Sequence, residues 1–260
     1  MYNELFCQDE GAGASIVLLH GFAEDGTVWD NQLEALQTAG RLIIPDLPGS
    51  GRSPLGGTTL SMESMADDVL ALLDRRGIEK TILIGHSMGG YISLAFAARH
   101  PGRLNALGLF HSTAYPDSEE KKAIRRKAIE FIRANGSAPF IRQSTANLFS
   151  PLTRQHRPEL IESVISRYAN FAPDALIGYY EAMIARPDRT AVLREFNGPV
   201  LFILGKDDAI IPAQQVLEQS WMPAIAQIHI VPEAGHEAML ENPKLSNQLL
   251  LDFINFVSES

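Results

Sequence analysis

One cysteine, Cys7, stands in 260 residues, which leaves no partner for an intrachain disulfide and no thiolate set for zinc or an iron–sulfur cluster. It reads as a buried thiol. No apolar run approaches the ~20 residues that span a bilayer. The start, Met1-Tyr2-Asn3-Glu4-Leu5-Phe6, lacks the basic segment and long apolar stretch of a secretory signal. Cytoplasmic residence without membrane attachment is the expectation, and the sequon at Asn135-Gly136-Ser137 is expected to stay idle. Positive charge is also short: 22 Lys and Arg against 31 Asp and Glu give a formal charge of −9. The cations are scattered, which argues against a nucleic-acid partner and leaves a small organic substrate as the better fit.

What is present is ordinary globular composition, with 45% hydrophobic and 20% charged residues. Short runs rich in Ile, Val and Leu recur at 16–19, 42–44, 81–84, 104–110, 200–204 and 228–231. Amphipathic stretches of helical period separate them, at 62–76, 88–99, 213–220 and 244–257. That alternation predicts an α/β fold: a mostly parallel sheet flanked by helices, with ligands expected at the strand ends. Between 113 and 190 no strand pattern appears, and helices are predicted over 118–134, 139–149, 158–171 and 173–185, broken by prolines and Gly136. We read 113–190 as a helical cap inserted into one core made of 1–112 and 191–260.

Chemistry concentrates in Thr81-Ile-Leu-Ile-Gly85-His86-Ser87-Met88-Gly89-Gly90. A bare G-x-S-x-G arises by chance, but here a buried strand precedes it and a good helix follows, the context a nucleophile elbow requires. The two glycines leave room for a tight strand-to-helix turn that thrusts the Ser87 hydroxyl outward in a strained conformation. The Met88 N–H, unpaired at the helix start, can meet a developing negative charge. Near neutral pH a serine needs an imidazole in hydrogen-bond reach, itself oriented by a carboxylate. In this fold the acid follows the serine and the histidine comes last. The strand at 200–204 runs into Asp207 and Asp208, which spacing alone does not separate, and the last strand runs into Gly235-His236.

These features resemble the α/β-hydrolase superfamily in its serine-nucleophile branch. The resemblance covers the chain in order and selects Asp208, through the arrangement Gly205, Asp208, Pro212, and His236, through Gly-His followed by Glu241 and Pro243. His20-Gly21-Phe22 resembles the family's oxyanion loop, implying backbone donors at Phe22 and Met88; each such donor can be worth ~3 kcal/mol in the transition state. Asp46-Leu-Pro-Gly49-Ser-Gly51-Arg52-Ser53 also matches a superfamily pattern, and lacking a following Lys-Ser/Thr it reads as a structural turn rather than a phosphate loop. Only a short segment precedes the strand at 16, so the family's opening antiparallel hairpin is expected to be abbreviated.

The family implies a serine hydrolase that cleaves an ester, thioester or lactone without metal or cofactor. Carbon–carbon bond hydrolases, perhydrolases or haloperoxidases, and small-molecule receptors share the same constellation, and fold analogy does not choose among them. Ser87 speaks against dehalogenases and epoxide hydrolases, which use an aspartate nucleophile. Candidate pocket residues are Phe22, His111, Phe131, Phe140, Tyr168 and Tyr179, with Phe149, Phe171, Tyr180 and Met183 as further cap residues that equally suit core packing. The segment 113–190 carries net +3 against −12 elsewhere, which admits both a solvated helical surface and an anionic substrate. Oligomeric state is not legible.

Overall fold

Strand-forming runs become one sheet because each alternates its side chains between two helical layers. The structure, a computed structural model, describes residues 4–57 and 59–259. Seven strands form the sheet: β1 (Cys7–Glu10), β2 (Ser15–Leu19), β3 (Arg41–Pro45), β4 (Thr81–His86), β5 (Leu104–Phe110), β6 (Val200–Gly205) and β7 (Ala226–Val231). Their order is β1-β3-β2-β4-β5-β6-β7. All neighbours are parallel except β1, which runs antiparallel to β3.

Alternation is visible residue by residue. Val17, Leu19, Leu83, Leu107, Leu109, Phe202 and Leu204 join one core, with helices Met62–Arg75 and Met88–Arg99. Ile16, Leu18, Ile82, Ile84, Phe110, Leu201 and Ile203 join the other, with helices Asp30–Leu36 and Pro243–Glu259. Both faces are therefore covered, as a parallel sheet requires.

β1 lies outside the six strands expected from apolar runs. Its Gln8, Asp9 and Glu10 are polar; it is held by its ladder to β3 and by Asp9, which accepts two 2.8 Å bonds from Arg41. This single strand is what stands at the edge where an abbreviated hairpin was expected.

From β5 to β6 the described chain is helical: Glu119–Asn135, Ser137–Ser144, Pro151–His156, Pro158–Tyr168, Pro173–Ala185 and Thr190–Glu195. Pro151, Pro158 and Pro173 occupy first turns, where the missing N–H costs nothing, and Gly136 at φ 79 separates the first two helices. The stretch expected at 139–149 starts earlier, at Ser137, and ends in a 3₁₀ turn, Thr145–Leu148. The helix expected over 213–220 stops at Leu217. Helices of four to seven residues, such as Asp30–Leu36 and Ala238–Glu241, escaped the sequence pattern because two turns or fewer display little period.

β2 leads outward to β3, while β4 begins the march the other way. The chain thus reverses direction across the sheet between β2 and β4, and the crevice at their carboxyl ends is where such sheets bind ligands.

Candidate active site

β4 ends at His86, the turn holds Ser87 alone, and the helix begins at Met88. Ser87 has φ 50 and ψ −112, a conformation that L residues with side chains rarely adopt. Strain of this kind persists only where neighbours over-determine it. The Ser87 N–H donates to Phe110 O at 2.9 Å and its carbonyl accepts from Ser112 Oγ at 2.8 Å. A Cβ on Gly85 would collide with the backbone of Gly89, and one on Gly89 would lie 2.6 Å from the carbonyl oxygens of Leu19 and His20. The two glycines therefore let helix, β4 and the loop after β2 pack backbone to backbone.

Three loops bring the expected side chains together. Ser87 Oγ lies 2.8 Å from His236 Nε2, and His236 Nδ1 lies 2.8 Å from Asp208 Oδ2. The pair left open by spacing is separated by the backbone: Asp208 is buried, whereas Asp207 is exposed. Asp208 Oδ1 also accepts from the Ile210 and Ile211 amides at 2.8 and 2.9 Å. Burial alone would raise its pKa; the His236 charge and the hydrogen bonds from His111 and His236 outweigh it, so the carboxyl stays ionised far below its usual range.

His111 requires a correction. Expected in the pocket lining, it lies behind the acid, fully buried at φ 49, with Nδ1 3.0 Å from Asp208 Oδ2. Burial lowers its pKa to about 4, against the pull of Asp208. The neutral ring donates its one proton to the charged acceptor, the stronger partner available, and leaves Nε2 without a partner.

Beside the Ser87–His236 pair sits a second buried set that sequence reasoning missed. Glu24 Oε2 accepts from the Gly21 amide at 2.6 Å and from His86 Nδ1 at 3.0 Å. His86 Nε2 meets the His236 carbonyl at 3.0 Å. Both ring nitrogens face acceptors, so only the imidazolium satisfies both. Burial lowers the His86 pKa, but Glu24 overrides it and the net shift is upward. Glu24 is held down to about 2, burial being outweighed by His86 and the Gly21 amide. Glu237 is pushed the other way, by burial and then by the charge of Glu24. A single imidazolium thus ties the His20-Gly21-Phe22 loop to the loop carrying His236. No motif signals it: Glu24 and Glu237 are 213 positions apart and meet only through the sheet.

Both triads of ligating groups among the described residues, His111/Asp208/His236 and Glu24/His86/Glu237, have the atom spacing of a cation site. In the second, His86 donates from both nitrogens and keeps no lone pair for a metal.

Among the described residues neither the Phe22 nor the Met88 N–H has an acceptor, so both are available to an oxyanion. His20 shapes this loop by accepting from Leu47 N at 2.9 Å through Nε2 and donating to Gly21 O from Nδ1.

A cavity of about 350 Å³ opens over Ser87, between the strand ends and the helical segment. Phe22, Phe140 and Tyr168 line it as expected, joined by Tyr180 and Met183. Phe22 stacks on Tyr180 with ring centroids 4.2 Å apart, and Phe140 meets Phe22 edge-on at 6.1 Å. Two further expectations are corrected. Phe131 packs against the core two helical turns beyond Ile124, past the cavity. Tyr179, a helical step of ~100° from Tyr180, turns inward instead and bonds Ser50 Oγ at 2.7 Å and Pro48 O at 2.8 Å. Those bonds fasten the Asp46–Ser53 turn, whose Asp46 accepts from the Gly26 and Arg52 amides at 2.9 and 2.8 Å.

A doubly covered parallel sheet with a serine elbow at its switch point defines a hydrolase class. The chain belongs to the alpha/beta hydrolase fold family, whose model matches residues 14–243. It is similar to the 2-hydroxy-6-oxononadienedioate/2-hydroxy-6-oxononatrienedioate hydrolase of Paraburkholderia phymatum, 30% identical over 95% of this chain and 89% of that one. It is also similar to a thermophilic esterase of Thermogutta terrifontis solved with malate bound, 34% identical with TM-score 0.93 over 98% of this chain and 94% of the other. The enol-lactonase of Burkholderia xenovorans LB400 shares the fold, at 24% identity and TM-score 0.90 over 97% of each chain.

Proposed function

We propose that this hydrolase cleaves an ester-like bond of a small molecule through an acyl-enzyme on Ser87. His236 Nε2 takes the Ser87 proton as Oγ bonds to the carbonyl carbon, and the carbonyl oxygen becomes an oxyanion facing the Phe22 and Met88 amides. The C–O bond to the alcohol then breaks, and the departing oxygen takes the proton from His236. Water repeats the sequence in reverse roles: His236 accepts its proton, the hydroxide carbon bond forms, and Ser87 leaves with that proton. Asp208 holds the imidazole in the Nδ1–H tautomer and stabilises its cation.

The observation that carries this reading is the continuous 2.8 Å contact from Ser87 Oγ to His236 Nε2 and from Nδ1 to Asp208. The test is labelling with a fluorophosphonate together with turnover of a short p-nitrophenyl ester. Ser87→Ala is expected to lose the label and to lower turnover by about 10³-fold or more; undiminished turnover in that variant would end the proposal. A second reading, hydrolysis of a carbon–carbon bond, is supported by the dienedioate hydrolase relative, which matches over 95% of this chain. Ester, thioester and lactone substrates compared beside a vinylogous 1,5-diketone acid separate the two.

A further inference from the structure

We infer that the cavity contains an anion subsite built from Lys121 and Arg125, so that the substrate carries a free carboxylate in addition to the bond that is cleaved; this rests on the hydrolase reading above. The two cations lie one turn apart on helix Glu119–Asn135, and both line the cavity. By themselves they are an unfavourable choice. Like charges at this spacing repel, and Lys121 stands in the first turn, where the helix dipole opposes a cation. Burial and the charge of Arg125 both pull the Lys121 pKa below its usual value.

Compensation from the protein is incomplete. Asp117 is shared between Arg125 Nε at 2.6 Å and Arg186 Nη1 at 3.0 Å, so one carboxylate is divided between two guanidiniums. Asp208, the other carboxylate acting on Lys121, is already engaged by His111, His236 and two amides. Among the described residues Lys121 Nζ has a single partner, the Ile210 carbonyl at 2.9 Å, and Arg125 Nη1 has no acceptor. Of the two acids that also line the cavity, Glu24 is matched by His86, and burial raises the Glu237 pKa, which works against a negative charge there. Lys121 and Arg125 therefore face the cavity with their charge only partly balanced, which a ligand anion can complete. Ile124, Tyr180 and Met183 also line the cavity and suit an alkyl spacer between carboxylate and scissile bond.

A purely structural alternative exists, in which Lys121 latches the helical segment to the loop after Asp208 through Ile210. The experiment therefore reads a ratio. Two matched pairs are compared at low ionic strength after subtracting the uncatalysed rate: the p-nitrophenyl hemiester of adipate against p-nitrophenyl hexanoate, and 4-acetoxybutanoate against pentyl acetate. The expected result is a preference of about tenfold or more in kcat/KM for the anionic member of at least one pair, the scale of one charge-assisted contact. The preference should shrink with added salt and approach one in Lys121→Met and Arg125→Met, and invert in Lys121→Glu. Arg125→Met leaves Asp117 with Arg186 alone, so the two Lys121 variants decide the matter if it fails to fold. Parallel loss on both members of a pair would assign Lys121 to the latch and overturn the inference, as would a wild-type ratio near one. Loss of fluorophosphonate labelling and of all ester turnover in the wild type would instead bring down the hydrolase reading, and this one with it.

Discussion

Asp208 receives four donors on two oxygens, whereas its neighbour Asp207 points into solvent. A carboxylate so surrounded cannot be replaced by an amide without turning one N–H toward a donor. Asp208→Asn is accordingly expected to favour the wrong His236 tautomer and to lower kcat by about 10³–10⁴-fold, while Asp207→Asn changes it less than about twofold. Steady-state kinetics on a p-nitrophenyl ester measure both. Equal effects of the two substitutions would show that the acid has been misassigned. At this scale the two neighbours were indistinguishable by spacing: the turn after β6, in which the Asp208 N–H reaches back to Gly205 O at 3.3 Å, decides which one faces inward.

Elements follow local rules that the site then exploits. Helix Met62–Arg75 starts with a capping box in which Ser61 and Ser64 bond each other's amides at 2.9 Å. Ser61 does not line the cavity. Ser61→Ala is expected to lower unfolding free energy by about 1 kcal/mol, measured by urea denaturation, with kcat/KM on the neutral ester retained. Strands were readable as short apolar runs, because a parallel strand is buried on both faces, and long helices because one buried face imposes a period of 3.6 over ten or more residues. β1 was not, because a four-residue polar edge strand takes its conformation from β3 rather than from its own side chains.

For the molecule as a whole, the buried Glu24–His86–Glu237 set ties stability to pH. His86 titrates above its unfolded value, so its contribution is complete at mildly acidic pH and is lost as pH rises through the raised pKa. Glu24 titrates near 2, so its contribution is present above the ordinary carboxylate range and is lost as pH falls toward that value. Glu237 is raised: the folded protein keeps a proton that the unfolded chain releases, and stability falls as pH climbs beyond the ordinary glutamate pKa. Two of the three groups therefore weaken the fold toward alkaline pH. Glu237→Gln removes one of them, and its melting temperature is expected to gain on the wild type progressively from pH 5 to pH 8 in a thermal scan. A difference between the two proteins that stays constant over this range would mean that Glu237 is ionised in the fold.

The fold class, the elbow and the order of serine, acid and histidine were determined by the sequence alone, because each depends on short-range facts: apolar period, glycines that let backbones touch, and residues placed at strand ends. Phe22, Phe140 and Tyr168 reach the cavity, but His111, Phe131 and Tyr179 do not, since a helical or loop position says that a side chain is near without saying which way it faces. The resemblance already favoured Asp208 over Asp207; the tertiary structure supplied the physical reason, an inward turn after β6, and alone brought Glu24, His86 and Glu237 together and set Lys121 and Arg125 on the cavity. Those relations join residues up to 213 positions apart, and electrostatics acts through space, along distances that a linear chain does not record.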